Sequence, residues 1–180
     1  YYKLLGEKSF EQVKDEDLFW QYNEHSNSIA IVVKHLWGNM LSRWTNFLTS
    51  DGEKDWRDRD AEFVNDISSR EELLQKWNEG WACLFDALRS LTNDDLEKII
   101  YIRNSGMTVS DAVGRQLAHY AYHAGQIVFI ARMRAEHWKS LTIPKGQSRQ
   151  YNEKKFSQEK NIQHYTDDAK EFLSNNENKK

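Results

Sequence analysis

His119-Tyr120-Ala121-Tyr122-His123 places two imidazoles four residues apart inside a run that reads as helix from about Ser110 to Glu136. Residues four apart on a helix are neighbours, with Cβ atoms roughly 5–6 Å apart, so both rings can reach one metal ion through bonds of about 2.0–2.1 Å. Two nitrogens make half a site. A third stands at His35, in the other long apolar helix, and three histidines with a position left for water is an arrangement that catalytic zinc uses. Position 120 is Tyr, where the His-Glu-x-x-His metalloproteases need a general-base Glu, so that class is excluded. His25, His137 and His164 lack comparable settings and read as ordinary polar residues.

The helices that must carry these rings are legible from spacing. Ile29, Val33, Leu36, Met40, Trp44 and Phe47 recur at helical intervals and predict a helix from Ser26 to about Thr49. His35 lies to one side of that stripe, in line with Ser28, Val32, Asn39, Ser42 and Asn46, the mixed composition that the rim of an internal cavity needs. Ser69 and Glu72 form a capping-box pattern at the head of a helix to about Leu91, whose buried face is rich in Leu and Trp. Between these two helices, Thr49-Ser50-Asp51-Gly52 predicts a turn, and Asp55 to Asp60 predicts a long ordered loop of alternating charge that could cover a pocket.

Ile99 to Ile102 followed by Asn104-Ser105-Gly106 reads as a short extended arm with a turn. Ser110 is the expected cap of the helix that holds the histidine pair. That helix is apolar over so much of its circumference that it is expected to lie deep, with Ala121, Ala124 and Gly125 admitting close neighbours. Tyr1 to about Lys14 looks like the end of a helix that starts upstream. Phe156, Ile162, Tyr165, Phe172 and Leu173 predict a last amphipathic helix in a polar extension from about 147 to 180, with fraying from Asn175 onward.

Composition narrows the partners. The 180 residues are expected to form a single domain, 1–180, large enough for a sizeable core. A formal charge of -3 gives no general attraction for phosphate backbones, and acidic residues dilute the lysines of the tail, so nucleic acid is not expected as a partner. No apolar run approaches the roughly 18–20 residues of a membrane span. The single cysteine, Cys83, reads as a buried thiol in a chain of the reducing cytoplasm.

Asn27-Ser28-Ile29-Ala30 leading to His35-Leu36-Trp37-Gly38-Asn39-Met40, then Asp51-Gly52-Glu53-Lys54, Arg59-Asp60-Ala61-Glu62-Phe63, and His119 with His123 before Gly125-Gln126, resemble the DinB/YfiT-like superfamily. Ile143 to Ser148 continues the likeness. It is nearest to a subgroup of bacterial DinB-like proteins without an assigned activity. The resemblance implies an all-α fold, a four-helix bundle with long crossover loops, often dimeric, with a divalent metal held by His35, His119 and His123. Better-understood members are thiol-dependent transferases or isomerases that use bacillithiol, mycothiol or glutathione.

These readings together predict a cytoplasmic homodimer that uses zinc, nickel or iron to activate a low-molecular-weight thiol, or water, against a small-molecule substrate, as an S-transferase or hydrolase. Asn39 and Gln126 are expected to hold the second ring nitrogen of ligand histidines. Arg57, Arg59 and Asp60 are expected at the pocket mouth. The competing expectation is a non-catalytic, stress-related binding or oligomerisation module whose metal is structural or absent.

Overall fold

The computed structural model describes residues 1–175. They form seven α-helices and a two-stranded hairpin, in the order α1 (Tyr2–Phe10), α2 (Asp15–Leu18), α3 (Ile29–Trp44), α4 (Arg70–Arg89), β1 (Ile99–Ile102), β2 (Ser105–Thr108), α5 (Val109–Arg134), α6 (Ser148–Phe156) and α7 (Asp167–Asn175). A 3-10 turn at Ala61–Phe63 interrupts the long crossover from α3 to α4. The chain is thus mostly helical, and the predicted extended arm is the antiparallel pair β1–β2.

Helix α3 packs along α4 and crosses α5, while α1 lies on α5. Leu36 and Met40 of α3, Leu73, Trp77 and Trp81 of α4, and Tyr120 and Ile127 of α5 meet in the core. Trp77 stands edge-on to Phe10 of α1 with ring centroids 5.3 Å apart, and to Trp81 at 5.5 Å. Close approach is built in by Gly6, where a Cβ would come within 2.4 Å of the Trp77 ring.

The element ends follow from capping chemistry. Ser28 starts α3 by accepting the amide of Ile31 at 3.1 Å, and its hydroxyl donates to Asn65 Oδ1 at 2.8 Å. The helix stops at Trp44 rather than near Thr49, because Thr45 is extended and Asn46 takes a left-handed φ of 49°. Ser69 caps α4 as expected, though the box closes only halfway: Glu72 accepts from Ser68 instead of from the cap residue.

The cap of α5 is Thr108, not Ser110. Thr108 is the last rung of the hairpin, opposite Ile99, and its hydroxyl accepts the Asp111 amide at 3.0 Å, so strand passes directly into helix. Arg103 and Asn104, both at positive φ, make the two-residue turn that right-handed strand twist favours. Asp51 accepts both of their amides, at 2.8 and 2.9 Å, and thereby ties the loop after α3 to the hairpin.

Further expectations are corrected. The tail holds two short helices, and Phe156, Ile162 and Tyr165 are exposed rather than packed, the last two lying in the linker between α6 and α7. Of the residues read as fraying, Asn175 closes α7, and 176–180 lie outside the described residues. Cys83 is half-buried rather than fully buried, its thiol pushed up by that burial. Helix α5 also departs from the deep placement expected of it: one face, including Ala118, Tyr122, Gly125 and Phe129, is open to solvent. No helix among the described residues is long and apolar enough to cross a membrane.

Candidate metal centre

The crossing of α3 over α5 brings His35 to the histidine pair. His35 and His119 approach at 3.2 Å between Nε2 atoms, and His119 and His123 at 3.0 Å, again between Nε2 atoms. One ring nitrogen from each of the three lies within 4.8 Å of the other two. Ligands bonded at about 2.05 Å in a tetrahedron stand about 3.3 Å apart, close to the spacing found.

The outer nitrogens fix the tautomers. His35 Nδ1 lies 2.8 Å from Glu62 Oε2, and His123 Nδ1 lies 2.7 Å from Gln126 Oε1. A carboxylate and an amide oxygen only accept, so both Nδ1 atoms carry the proton and both Nε2 atoms present a lone pair inward. A neutral His119 can donate to at most one of these. Protonated at Nε2 it leaves one neighbour's lone pair without a donor, and protonated at Nδ1 it sets lone pairs about 3 Å apart at both contacts, which is repulsive unless a cation lies between them. Protons are poorly placed to serve: burial first, then the neighbouring His123 and His35, push His119 down to about 3, and burial also pushes His123 down to about 4. Three ring nitrogens converging on one point are a donor set suited to a divalent ion, and the three could hold one.

Glu62 is the principal residue that spacing did not assign. It comes from the 3-10 turn in the crossover, is 4% exposed, and accepts from His35 as well as from Arg57, whose Nε donates at 2.7 Å and Nη2 at 3.0 Å. Burial pulls its carboxyl up, but the hydrogen bonds from His35 and Arg57 outweigh that and hold it below the usual carboxylate range. Room for the carboxylate is made by Gly38, one turn beyond His35, where a Cβ would lie 2.3 Å from Glu62 Oε1.

A mid-helix Gly→Ala change ordinarily stabilises by roughly 0.5–1 kcal/mol. At Gly38 the sign is expected to reverse, to a loss of roughly 1–3 kcal/mol as the methyl displaces a hydrogen-bonded carboxylate. Urea unfolding of Gly38→Ala checks this, and a variant as stable as the parent would mean that Glu62 gives way without penalty.

The remaining expected residues divide. Gln126 holds His123, as its spacing on α5 suggested. Asn39 accepts instead from the Tyr120 hydroxyl at 3.5 Å, while that hydroxyl takes the indole N–H of Trp44 at 2.8 Å. Arg57 is not at a mouth but beneath the site, its side chain only 2% exposed. Arg59 lies over the ring of Phe63, which itself stacks on His35 with centroids 5.0 Å apart. Asp60 precedes the 3-10 turn with an exposed side chain that makes no capping bond. His119 is the half-exposed member of the cluster and marks its open edge. A broad groove of about 1010 Å³ between α1, α2 and the end of α5, lined by Lys8, Asp17, Arg134 and Leu173 among others, contains none of the three histidines.

Residues 1–147, the histidine helices included, match a family described as a protein of unknown function, DUF1572. The chain belongs to that family. The match ends just before α6, so the DUF1572 region carries His35, Glu62, His119, His123 and Gln126, and leaves α6 and α7 outside it. No curated protein and no solved structure matches the chain significantly.

Proposed function

We propose that this DUF1572 chain is a divalent-metal-dependent enzyme of the DinB/YfiT-like type, acting in the cytoplasm on a small-molecule substrate. Its fold would then be a single-domain four-helix bundle of α1, α3, α4 and α5, with α6 and α7 as the extension. The observation that carries the reading is the pair of close Nε2 contacts, in which nitrogens with their outer protons already committed face one another.

His35, His119 and His123 would hold a zinc, nickel or iron ion, which when bound would supply Lewis acidity for activating a thiol or water. The protein's own residues do the positioning. Glu62 orients His35, and Arg57 keeps Glu62 ionised at that task. Gln126 fixes the His123 ring in the same way. Phe63 closes one side against His35, with Arg59 outside it, so a substrate reaches the cluster along the His119 edge. The positive charges of Arg43 and Arg57 extend to His119 and favour an anionic nucleophile there. Transfer from a low-molecular-weight thiol and hydrolysis both fit this arrangement.

A structural ion in a non-catalytic module is the second reading, favoured by the burial of His35 and His123 at 5% and 7% exposure. Elemental analysis of untagged protein tests the shared premise. Near-stoichiometric metal is expected in the parent and none in His35→Ala or His119→Ala. A parent that stays metal-free after exposure to zinc, nickel and iron would sink both readings. In cobalt-substituted protein, a visible spectrum that shifts on adding a thiol favours the enzyme, whereas an inert spectrum favours the structural ion.

A further inference from the structure

We infer that the open edge of the histidine cluster takes a flat aromatic carboxylate, its ring on Tyr122 and Phe63 and its carboxylate on Arg59 and Arg115. The inference rests on the reading of the cluster as a substrate site and names the class of substrate.

Two of the three histidines carry an aromatic ring on their outer side. Phe63 stacks on His35 with centroids 5.0 Å apart, and Tyr122 meets His123 edge-on at 4.9 Å. Neither ring is covered: Phe63 is 37% exposed and Tyr122 63%. Both buried corners of the cluster thus lead outward to open aromatic surface, while His119 is the half-exposed corner. Apolar surface beside a few convergent polar groups is the makeup of a small-molecule site. A ring bound there gains edge-to-face or offset stacking beyond the area it buries.

Charge at the same edge sets the other half of the ligand. The Arg59 guanidinium lies 5.3 Å from the Phe63 ring centroid, which holds it at the rim. Arg115 stands one turn before His119 on α5, about 40° off its line at 100° per residue. Both arginines are exposed, and among the described residues neither side chain forms an ion pair or hydrogen bond. The nearby carboxylates are otherwise engaged or turned elsewhere. Glu62 serves His35 and Arg57, Glu53 serves Arg43 and Arg103, and Asp58 takes the Ala61 amide. Asp111 lies a further turn beyond Arg115, away from His119. Two free guanidinium forks beside open rings match an ion whose charge sits at the edge of a flat ring. A neutral arene would leave both arginines without a role.

Binding of β-naphthoate to the untagged full chain, zinc-loaded and chelator-treated, tests the inference by titration calorimetry. Saturable binding is expected in both forms. Neutral β-naphthylmethanol and non-aromatic cyclohexanecarboxylate are each expected to bind roughly tenfold or more weakly than naphthoate. The double variant Arg59→Gln/Arg115→Gln and the single variant Tyr122→Ala are each expected to weaken naphthoate by a similar factor, with unchanged helical circular dichroism. Arg132→Gln, about 140° round α5 from His119, should leave it unaltered. Absence of saturable binding overturns the inference. So does equal affinity for the alcohol, or a double arginine variant that binds as the parent does, which would place the carboxylate on the metal alone. A metal-loaded parent that ignores naphthoate fells only this inference, whereas a parent that takes up no metal but binds naphthoate through the arginines fells only the metal-dependent reading.

Discussion

Glu62→Ala is expected to lose metal and stability together. Among the described residues, the substitution leaves the Arg57 guanidinium, 2% exposed, with only Glu53 at 3.6 Å, and leaves His35 Nδ1 without its acceptor. Removing one member of a buried ion pair costs about 3–5 kcal/mol, because the surviving charge stays desolvated. Loss of the hydrogen bond that orients a ligand histidine separately lowers metal affinity roughly 10- to 100-fold. Glu62→Gln separates the two effects. It keeps the volume and an acceptor oxygen, so its urea midpoint should fall less, while the neutral amide still weakens metal binding. Competition with a chelating dye measures the affinity. Parent-like affinity in both variants would reduce Glu62 to a structural residue.

Trp77→Ala is expected to be the most damaging change away from the site, at about 3–5 kcal/mol. The indole is 2% exposed and fills the space left by Gly6, between Phe10 and Trp81, so it links α4 to α1 as well as to its own core. Among the described residues its Nε1 has no hydrogen-bond partner. Trp77→Phe should therefore cost much less, since it discards an unpaired buried N–H along with the lost volume. Chemical unfolding of both variants checks the order, and a Trp77→Phe loss equal to that of Trp77→Ala would contradict it.

The helices and the histidine cluster were legible because each rests on a period. His119 and His123 share a face by spacing alone, Gln126 follows three residues after His123, and α3 and α4 declare themselves by apolar stripes with Ser28 and Ser69 as caps. Glu62 was not legible, because an irregular crossover has no period to say where a side chain points. Only the costly Gly38 within α3 hinted that something must approach there. Asn39 was misdirected by the same logic that worked for His35: it shares the line, but the buried Tyr120 hydroxyl needs an acceptor and takes it. The open face of α5 was missed because apolar residues on two sides of a helix look alike whether or not a neighbouring helix covers them.

The site is assembled from segments made at different times during synthesis. His35 and Glu62 are 27 residues apart and can pair, with Arg57, once the crossover has formed, whereas His119 is 84 residues from His35 and arrives only with α5. A nascent chain thus carries an oriented imidazole–carboxylate–guanidinium half-site well before it can retain an ion. Metal captured by the three histidines would then report that α5 has docked on α3, making the ion a mark of completed folding and not a template for its early steps.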